Sequence, residues 1–561
     1  MLKKFKSWLY KSKGFVAGVA LAGVFFIFIQ ARNTDSYFEI SKNLDIFNTV
    51  LKELNIYYVD PIEPGQLVKT GIDEMLATLD PYTNYITESD FEEYQFQTTG
   101  KYGGIGANMR TTQDSIYVGD VYEGSPADKA GLHPGDLVIS VAGKEVKGKD
   151  TEEMSVLLKG SPGTQVTVKV RDVYTGQVSE KVITRSEIEL SSVPYASLLG
   201  TKKDIAYVKL TQFTPHCGRL VKNHLDSLKK LNPSLNGVVL DLRNNPGGLL
   251  NEAVNVCNLF VDKGQLVVST KGRQKEWEQD FKTSQQAWDT KIPVTVLINH
   301  GSASASEIVA GTLQDLDRGV IVGERSFGKG LVQTTRPLGY NARLKLTTAK
   351  YYTPSGRCIQ ALDYSHRNVD GSVGYVPDSL KKEYKTLKGR KVLSGGGVEP
   401  DVDVEDDVAS KLAITLYVKN YFFDYATIYA RKNKTIPQPS TFAIDNNTFN
   451  DFAKWLEGKD YTYKTETEIT LDSLKSAAVR EKYFNDIESS YKALEAKLRH
   501  DKKQDLEKHR DIITDLLESE IVSRFYYMRG RVEHGLKNDV SLKKALALLE
   551  QPTGYNSILQ P

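Results

Sequence analysis

Two apolar, β-branched runs that enclose a stretch of small residues constrain the fold more than any other part of the chain. Residues 294–299 (VTVLIN) and 319–324 (GVIVGE) have the composition of buried strands. Residues 305–316 between them have the composition of a helix, and His300-Gly301 before that helix is typical of a turn. The alternation of strand, helix and strand predicts an α/β core, which we expect to extend from about residue 186 to 405.

Ser304 lies where the first predicted strand turns into the helix. Such a turn exposes a hydroxyl at a helix N-terminus, where free backbone N–H groups can receive a developing oxyanion. Lys329 follows in a loop between Gly328 and Gly330. A serine hydroxyl is a poor nucleophile until a base takes its proton, and an ordinary lysine, with a pKa of about 10.4, is protonated near neutrality. The two residues predict a nucleophile and its base if burial lowers the pKa of the lysine.

Two further polar side chains could orient this pair. Gln333 lies four residues after Lys329, and Glu307 lies one helical turn beyond Ser304, on nearly the same face of the helix. A purely structural interpretation of Ser304 and Glu307 is a capping box that satisfies the first amides of the helix. His300 could rival Lys329 as the base, but we interpret it as a turn residue.

The pattern G-x-x-x-x-G-K at residues 323–329 suggests a different function, a P-loop that binds nucleotide phosphates. A P-loop requires Ser or Thr after the lysine, to hold magnesium, and then a helix. Here Gly330 follows the lysine, and residues 331–335 (LVQTT) have the composition of a strand. Nucleotide binding is therefore a disfavoured alternative.

A second glycine-rich turn follows a short apolar run at residues 237–240, which is suited to a buried strand. The segment LDLRNNPGG ends in Pro246-Gly247-Gly248, which forces a turn and lets the backbone approach a substrate closely. Two backbone N–H groups aimed at a tetrahedral oxyanion could stabilise the transition state by about 3 kcal/mol each. We interpret Arg243 in the same segment as a member of a structural ion pair.

A separate small module is predicted from about residue 95 to 180. It contains YGGIG at residues 102–106 and GSPADKAGLHPGDLVISVAGKEV at residues 124–146. These segments together resemble a PDZ domain. The resemblance implies that a strand edge accepts a peptide, while a loop captures its terminal carboxylate through backbone amides. That loop would consist of Gly104, Ile105, Gly106 and Ala107.

The chain resembles the C-terminal processing peptidases, also called tail-specific proteases, in these segments: GSASASEIVAG, GERSFGKGLVQ, LDLRNNPGG, LATLDPYTNYIT, YYTPSGRCIQ and GGVEPDV. With the PDZ-like module, the resemblance covers roughly residues 40–405. It implies an ATP-independent serine endopeptidase that works through an acyl-enzyme and needs no metal or other cofactor. It also implies an α/β multidomain fold whose peptidase core, built of crotonase-like ββα units, contains the PDZ-like β module as an insertion.

The resemblance assigns roles to the candidate site residues. Ser304 matches the nucleophile, Lys329 the base, and Gln333 the residue that supports the lysine. The oxyanion hole corresponds to backbone amides of Ala305 and of one of Gly247 or Gly248. We expect the PDZ module to bind exposed C-termini of protein substrates and to regulate the peptidase site by moving. A catalytically inactive scaffold that binds C-termini is the alternative, and it would have no reason to retain all these residues.

The N-terminus carries a basic segment followed by an apolar one. Residues 14–29 (GFVAGVALAGVFFIFI) form an uncharged run, and five lysines precede it. Gln30 and Ala31 could complete a membrane span, and no A-x-A cleavage site is evident before Arg32. We expect residues 14–31 to form a single-pass membrane anchor, with the lysines cytoplasmic and the peptidase extracytoplasmic, in the periplasm. Cleavage as a signal peptide is the alternative.

Five segments are therefore predicted: a basic N-terminus with the anchor or signal (1–32), an N-terminal helical region (33–95), the PDZ-like domain (96–185), the Ser/Lys peptidase core (186–405) and a helical C-terminal domain (406–561). A formal charge of +2 gives no indication of nucleic-acid binding. Three widely spaced cysteines support neither a disulfide framework nor a zinc site. A homo-oligomer or an adaptor protein is left open as a further partner.

Overall fold

The computed structural model describes residues 37–112, 114–405, 410–498 and 502–561. The chain divides into two compact units, of which the first ends at Tyr85 and the second runs from Ile86 to Pro561. Within the described ranges, no helix is long and apolar enough to cross a membrane. The predicted anchor at residues 14–31 lies outside the described residues and stays a prediction.

The first unit was predicted to be helical, and its described part contains two helices. One covers residues 37–57. The other, Pro64–Ala77, starts with a proline, whose fixed φ suits the first turn of a helix. A short strand, Asn84–Ile86, follows in the chain.

The predicted small β module follows the helix Phe91–Thr99. Its antiparallel sheet has the spatial order Ala107–Thr112, Ser115–Val121, Leu137–Val141, Gln165–Arg171 and Val178–Thr184, with Lys144–Glu145 paired to the third of these strands. Two helices, Pro126–Lys129 and Thr151–Leu158, belong to the module. The segments that enter and leave it, Lys101–Gly104 and Ser186–Glu189, pair with each other. Ala107–Thr112 is an edge strand, because its only strand partner among the described residues is Ser115–Val121.

The peptidase core is built on a six-stranded sheet. In spatial order its strands are Tyr195–Leu199, Ile205–Lys209, Gly237–Asp241, Val294–Ile298, Val320–Gly323 and Val402–Asp403. All neighbouring strands after the first pair are parallel. The carboxyl ends of parallel strands meet at one edge of a sheet, so the turns after Asp241 and Ile298 lie side by side.

A second, antiparallel sheet packs beside the first. It contains Leu266–Gly272, Gln279–Lys282, Leu331–Pro337 and Arg343–Tyr352. Two smaller ribbons follow, formed by Leu362–Arg367 with Val373–Tyr375 and by Glu383–Lys385 with Lys391–Leu393. Two 3₁₀ turns complete this part, Lys275–Trp277 and Asp378–Leu380. The strand Leu331–Pro337 stands where a P-loop would need a helix, which agrees with the rejection of that alternative.

Helices cover both faces of the six-stranded sheet. Cys217–Leu231, Leu250–Cys257 and Ala305–Asp315 pack on one face. The other face is covered by the last two helices of the chain, Val540–Glu550 and Pro552–Ile558. The predicted boundary at residue 405 therefore separates two segments that share a core. The physical reason is that parallel strands are apolar on both sides, so the side formed by Tyr207, Val239 and Leu297 also needs a cover.

The predicted C-terminal helical region is confirmed. Its remaining helices are Lys411–Val418, Tyr421–Lys432, Asn446–Trp455, Glu466–Arg480, Phe484–Leu498, Lys502–Lys508 and Arg510–Gly535. All of them except Glu466–Arg480 and Phe484–Leu498 contribute to a separate hydrophobic core that is rich in Phe, Tyr, Leu and Ile. The β module contacts this region through two ion pairs of 3.3 Å, one between Arg110 of the module and Glu520 and one between Asp120 of the module and Arg531.

Candidate active site

Ser304 occupies a strained turn between a strand and a helix. The strand Val294–Ile298 ends before it, and the helix Ala305–Asp315 begins directly after it. Its backbone has φ +56° and ψ −112°, a conformation that residues with a Cβ atom rarely adopt. Such strain persists where the surrounding structure enforces it, and it is concentrated at functional sites. The predicted strand-to-helix junction is therefore present, with the serine at its bend.

The carboxylate of Glu307 holds the two halves of the candidate site together. One oxygen, Oε2, accepts hydrogen bonds from the backbone N–H groups of Ser304 at 2.7 Å and of Lys329 at 2.9 Å. The other, Oε1, accepts from the hydroxyl of Ser326 at 2.6 Å and the N–H of Gly328 at 2.7 Å. Glu307 is fully buried, and burial raises its pKa to about 6 although these donors oppose the shift.

Tyr351 is a positioning residue that sequence analysis missed. Its hydroxyl lies 2.6 Å from the carbonyl oxygen of Lys329 and 3.1 Å from that of Ser304. The side chain is buried in the strand Arg343–Tyr352. A signal was available, because Tyr351 belongs to the segment YYTPSGRCIQ, but no local pattern shows which loops a tyrosine hydroxyl will reach.

A cleft of about 450 Å³ brings the predicted active-site residues together. Its lining includes every residue that was predicted to attack the bond, support the base or bind the oxyanion: Ser304, Lys329, Gln333, Ala305, Gly247 and Gly248. The side chain of Gln333 donates a hydrogen bond to the hydroxyl of Thr347 at 3.2 Å. Ser304 and Lys329 are both half-buried, so the cleft is partly shielded from water.

The two glycines of the candidate oxyanion hole differ in what their amides do. The N–H of Gly247 donates to Oδ1 of Asn245 at 2.9 Å, so this amide is already satisfied within its own turn. A Cβ atom on Gly247 would lie 2.8 Å from Cβ of Ser304 and 2.9 Å from the nitrogen of Ala305, which explains why glycine is required here. Of the two predicted alternatives, the geometry therefore favours the amide of Gly248.

An ion-pair network fixes the segment that precedes this turn. Arg243 donates to Asp241 at 2.8 Å and to Asp539, the N-cap of the helix Val540–Glu550, at 2.5 Å and 3.0 Å. Burial alone would raise the pKa of Asp241, but Lys209 and Arg243 hold it below its usual range. The prediction that Arg243 forms a structural ion pair is confirmed, and one partner comes from the C-terminal end of the chain.

His300 lies outside the cleft. Its side chain is 83% exposed, and Nδ1 lies 3.0 Å from Oε2 of Glu324. It is not among the residues that line the cleft around Ser304. This position agrees with the interpretation of His300 as a turn residue.

The small β module has a pocket of its own, which we call the module pocket. It has a volume of about 230 Å³, and it is lined by Gly104, Ile105 and Ala107 together with residues of the helix Thr151–Leu158. Gly106 does not line it but shapes the loop, since it has φ +77° and a Cβ atom there would lie 2.3 Å from Cβ of Ser125. A pocket beside the free edge of the strand that follows the loop suits the addition of an extended peptide.

One helix contributes to both pockets. In the helix Phe91–Thr99, Phe96 lines the module pocket, whereas Tyr94 and Thr98 line the cleft around Ser304. The two pockets therefore have this helix of nine residues as a common wall.

Comparisons with known proteins find family matches for the peptidase core, the small β module and the C-terminal helical region. Residues 204–365 match the family described as "Peptidase family S41". Residues 117–172 match "PDZ domain", and residues 412–549 match "Probable PDZ-protease, C-terminal helical domain". The last match falls on the helical region for which the resemblance stated above makes no prediction.

Individual relatives carry related names. The chain is 36% identical over 373 residues to the carboxy-terminal-processing protease of Bartonella bacilliformis, and the alignment covers 66% of this chain and 83% of that protein. It is 37% identical over 344 residues to a Staphylococcus aureus protein named "Probable CtpA-like serine protease", and that alignment covers 60% of this chain and 66% of that protein. A solved structure of a photosystem II D1 C-terminal processing protease is 28% identical to this chain, with a TM-score of 0.36. The alignment covers 64% of this chain and 87% of the chain in that structure.

Proposed function

Because the chain belongs to the C-terminal processing proteases of peptidase family S41, we propose that it cleaves peptide bonds with Ser304 as nucleophile and Lys329 as general base. Family membership makes the chain a serine-type peptidase with a PDZ domain. The observation that supports the dyad most strongly is that Ser304 and Lys329 line one cleft, with their backbones bonded to a single oxygen of Glu307.

The reaction begins with a proton transfer. The neutral amine of Lys329 takes the proton of the Ser304 hydroxyl as Oγ attacks the carbonyl carbon of the substrate. The carbonyl oxygen becomes an oxyanion, which accepts hydrogen bonds from the amides of Ala305 and Gly248. The C–N bond then breaks, and the ammonium of Lys329 gives its proton to the leaving amine. An acyl-enzyme on Ser304 remains.

Water completes the cycle by the same steps. Lys329, neutral again, takes a proton from a water molecule that attacks the acyl carbon. The second tetrahedral intermediate collapses, Ser304 recovers its proton, and the new carboxylate leaves. The half-buried position of Lys329 supports a lowered pKa, which this role requires. Neither ATP nor a metal takes part in any step.

The PDZ module is proposed to bind the free C-termini of protein substrates. The edge strand Ala107–Thr112 would pair with the end of the substrate, and the amides at Gly104–Ala107 would hold its carboxylate. The module pocket supports the proposal, and so does the outer edge of this strand, which pairs with no other strand among the described residues.

Binding in the module pocket is proposed to regulate cleavage through the helix Phe91–Thr99. Glu93 of this helix forms an ion pair of 2.7 Å with Lys159, which lines the module pocket. The next residue, Tyr94, shares a hydrogen bond of 2.6 Å with the hydroxyl of Thr335 in the wall of the cleft. A peptide that displaces Lys159 would thus act on a helix that contacts the active site.

The enzyme is proposed to be held at a membrane by residues 14–31, with its peptidase part in the periplasm. Five lysines followed by an uncharged apolar run support this orientation. After expression of the full chain, we expect it in the membrane fraction, resistant to high salt and released by detergent. Removal of residues 1–31 should move it to the soluble fraction. Recovery of the intact full chain in the soluble fraction would contradict the anchor.

Cleavage of an unstructured protein that ends in apolar residues tests the proposed dyad. The full chain in detergent should cleave it without ATP and in the presence of a chelator. Ser304→Ala and Lys329→Ala should each lose activity by about 10³-fold or more, whereas His300→Ala should retain it. Activity should rise with pH through the lowered pKa of the lysine, because only the neutral amine accepts the proton. Binding without cleavage by the wild type would instead fit an inactive scaffold.

A further inference from the structure

A second lysine lies in the cleft. Lys345 belongs to the strand Arg343–Tyr352, where it pairs across the ribbon with Thr335. Gln333 pairs with Thr347 two residues further along the same ribbon. Because side chains alternate along a strand, Gln333, Thr335 and Lys345 share one face, and all three line the cleft.

The register fixes the approximate position of this lysine along the cleft. Gln333 and Thr335 are two residues apart in one strand, which corresponds to about 7 Å. Lys345 therefore lies about two residues of an extended peptide away from the position of Gln333. Ser304, Lys329 and Gln333 line the same cleft, so an extended substrate that reaches Ser304 would present one of its backbone or side-chain groups to Lys345 within a few residues of the bond that is cut.

Lys345 has no acidic neighbour in the cleft. The cleft is lined by two lysines, Lys329 and Lys345, and no carboxylate belongs to its lining among the residues that the structure describes. Over the same described ranges, no ion pair involves Lys345. The residue is half-buried, and this burial lowers its pKa. A half-buried ammonium group without a counter-charge carries a desolvation cost that an incoming carboxylate would offset.

We propose that Lys345 determines specificity by binding a carboxylate of the substrate within a few residues of the cleaved bond. This inference rests on the proposed function of the cleft. The carboxylate can belong to an acidic side chain, or it can be the terminal carboxylate of a short segment beyond the bond. Both sources have the same chemistry, so the site itself does not separate them.

Two sets of short peptides separate the sources. The first set is capped at both ends and carries Glu or Gln at one position, one to three residues before or after the cleaved bond. The second set lacks acidic side chains and ends one to three residues after the bond, as a free acid or as an amide. For the full chain, we expect kcat/KM to favour the carboxylate about tenfold in at least one set, and the set identifies the source.

Variants of Lys345 test whether this residue is responsible. Lys345→Met should abolish the preference, so that the ratio of the two kcat/KM values is about one. Lys345→Arg should preserve the preference. Lys345→Glu should reverse it in favour of a peptide with Lys at the same position. Lys350→Met is the matched control, since Lys350 is an exposed residue of the same strand outside the cleft lining, and it should keep the preference.

Three results would overturn the inference. The wild type could cleave both members of each pair equally, or its preference could survive in Lys345→Met. Complete loss of turnover on every peptide in Lys345→Met would also overturn it, because a specificity residue must leave the chemistry intact. Ser304→Ala keeps this test separate from the proposed function, since turnover by that variant would contradict the nucleophile and not the role of Lys345.

Discussion

The side chain of Glu307 accepts a hydrogen bond from the backbone N–H of Lys329, with 2.9 Å between Oε2 and the nitrogen. The same oxygen accepts the N–H of Ser304. A single buried carboxylate thus fixes the loop that carries the proposed base against the turn that carries the proposed nucleophile. Glu307 bonds to backbone groups of both residues, which makes it a positioning residue.

Activity should depend on the ionisation of Glu307. Below its raised pKa of about 6 the carboxyl group binds a proton and can no longer accept all four hydrogen bonds. We expect kcat/KM of the wild type to fall as the pH drops through about 6. Glu307→Gln, whose amide replaces one of the two acceptor oxygens with an NH2 donor, should be about 10- to 100-fold less active. It should lack the step near pH 6 and keep only the pH dependence that comes from Lys329. A step near pH 6 that persists unchanged in the variant would contradict this role.

Stability should change with pH in the opposite direction. The pKa of Glu307 rises from 4.5 to about 6 on folding, so the folded protein binds this proton more readily than the unfolded chain. Its contribution to stability is full below pH 4.5 and is lost as the pH rises through 6, a change of about 2 kcal/mol. The melting temperature of the wild type relative to Glu307→Gln should therefore fall between pH 4.5 and 7. An increase of this relative melting temperature with pH would contradict the raised pKa of Glu307.

Removal of the Tyr351 hydroxyl should slow the reaction with little effect on folding. Tyr351→Phe keeps the buried ring and loses the hydrogen bond to the carbonyl of Lys329. We expect kcat to fall about tenfold while unfolding free energy changes by about 1 kcal/mol. Tyr352→Phe, at the adjacent half-buried position, is the control and should keep full activity. Equal kcat values for both variants would contradict the role of Tyr351 as a positioning residue.

The C-terminal end of the chain should influence the rate through Asp539. Asp539→Asn retains an N-cap for the helix Val540–Glu550, because asparagine caps as well as aspartate, but it removes the charge that faces Arg243. We expect kcat to fall about tenfold with KM little changed, and stability to fall by about 1–3 kcal/mol. Asp445→Asn changes a helix N-cap outside the peptidase core and should leave kcat unchanged. Similar kcat values for the two variants would contradict the link between Asp539 and the turn that carries Gly247 and Gly248.

Substitution of Gly106 should impair recognition of C-termini. Gly106→Ala adds a Cβ atom that would clash with Ser125, in addition to the strain of φ +77°. Gly143→Ala is a matched control, since Gly143 has the same φ and open space around it. We expect Gly106→Ala to weaken binding of a C-terminal peptide about tenfold or more, measured by fluorescence polarisation, and Gly143→Ala to bind normally. Equal affinities would place the carboxylate site elsewhere.

Local patterns in the sequence were sufficient to predict the central part of the fold. The apolar runs around Val296 and Ile321 became neighbouring parallel strands, and the helix between them begins one residue after Ser304. The P-loop alternative could be rejected from Gly330 and the strand-like residues after it, because strand composition is a local property. Ser304, Lys329 and Gln333 could be proposed for the same reason, with the family resemblance to assign their roles.

Contacts between distant segments could not be predicted in this way. Asp539 lies 296 residues after its partner Arg243, and no local pattern joins them. The cover that the last two helices provide for the central sheet depends on the same kind of contact. The preference for Gly248 over Gly247 depends on the direction of one side chain, Asn245, and therefore on three-dimensional geometry.

Trapping of the acyl-enzyme tests the central claim most directly. The full chain is mixed at pH 8 with an activated ester of a short apolar peptide, quenched in acid within milliseconds and analysed by intact mass and peptide mapping. We predict one acyl group, attached to Oγ of Ser304, in the wild type and in His300→Ala, and none in Lys329→Met, although that variant keeps the serine. Acylation of Lys329→Met at the wild-type rate, or an acyl group on any other residue, would contradict the account.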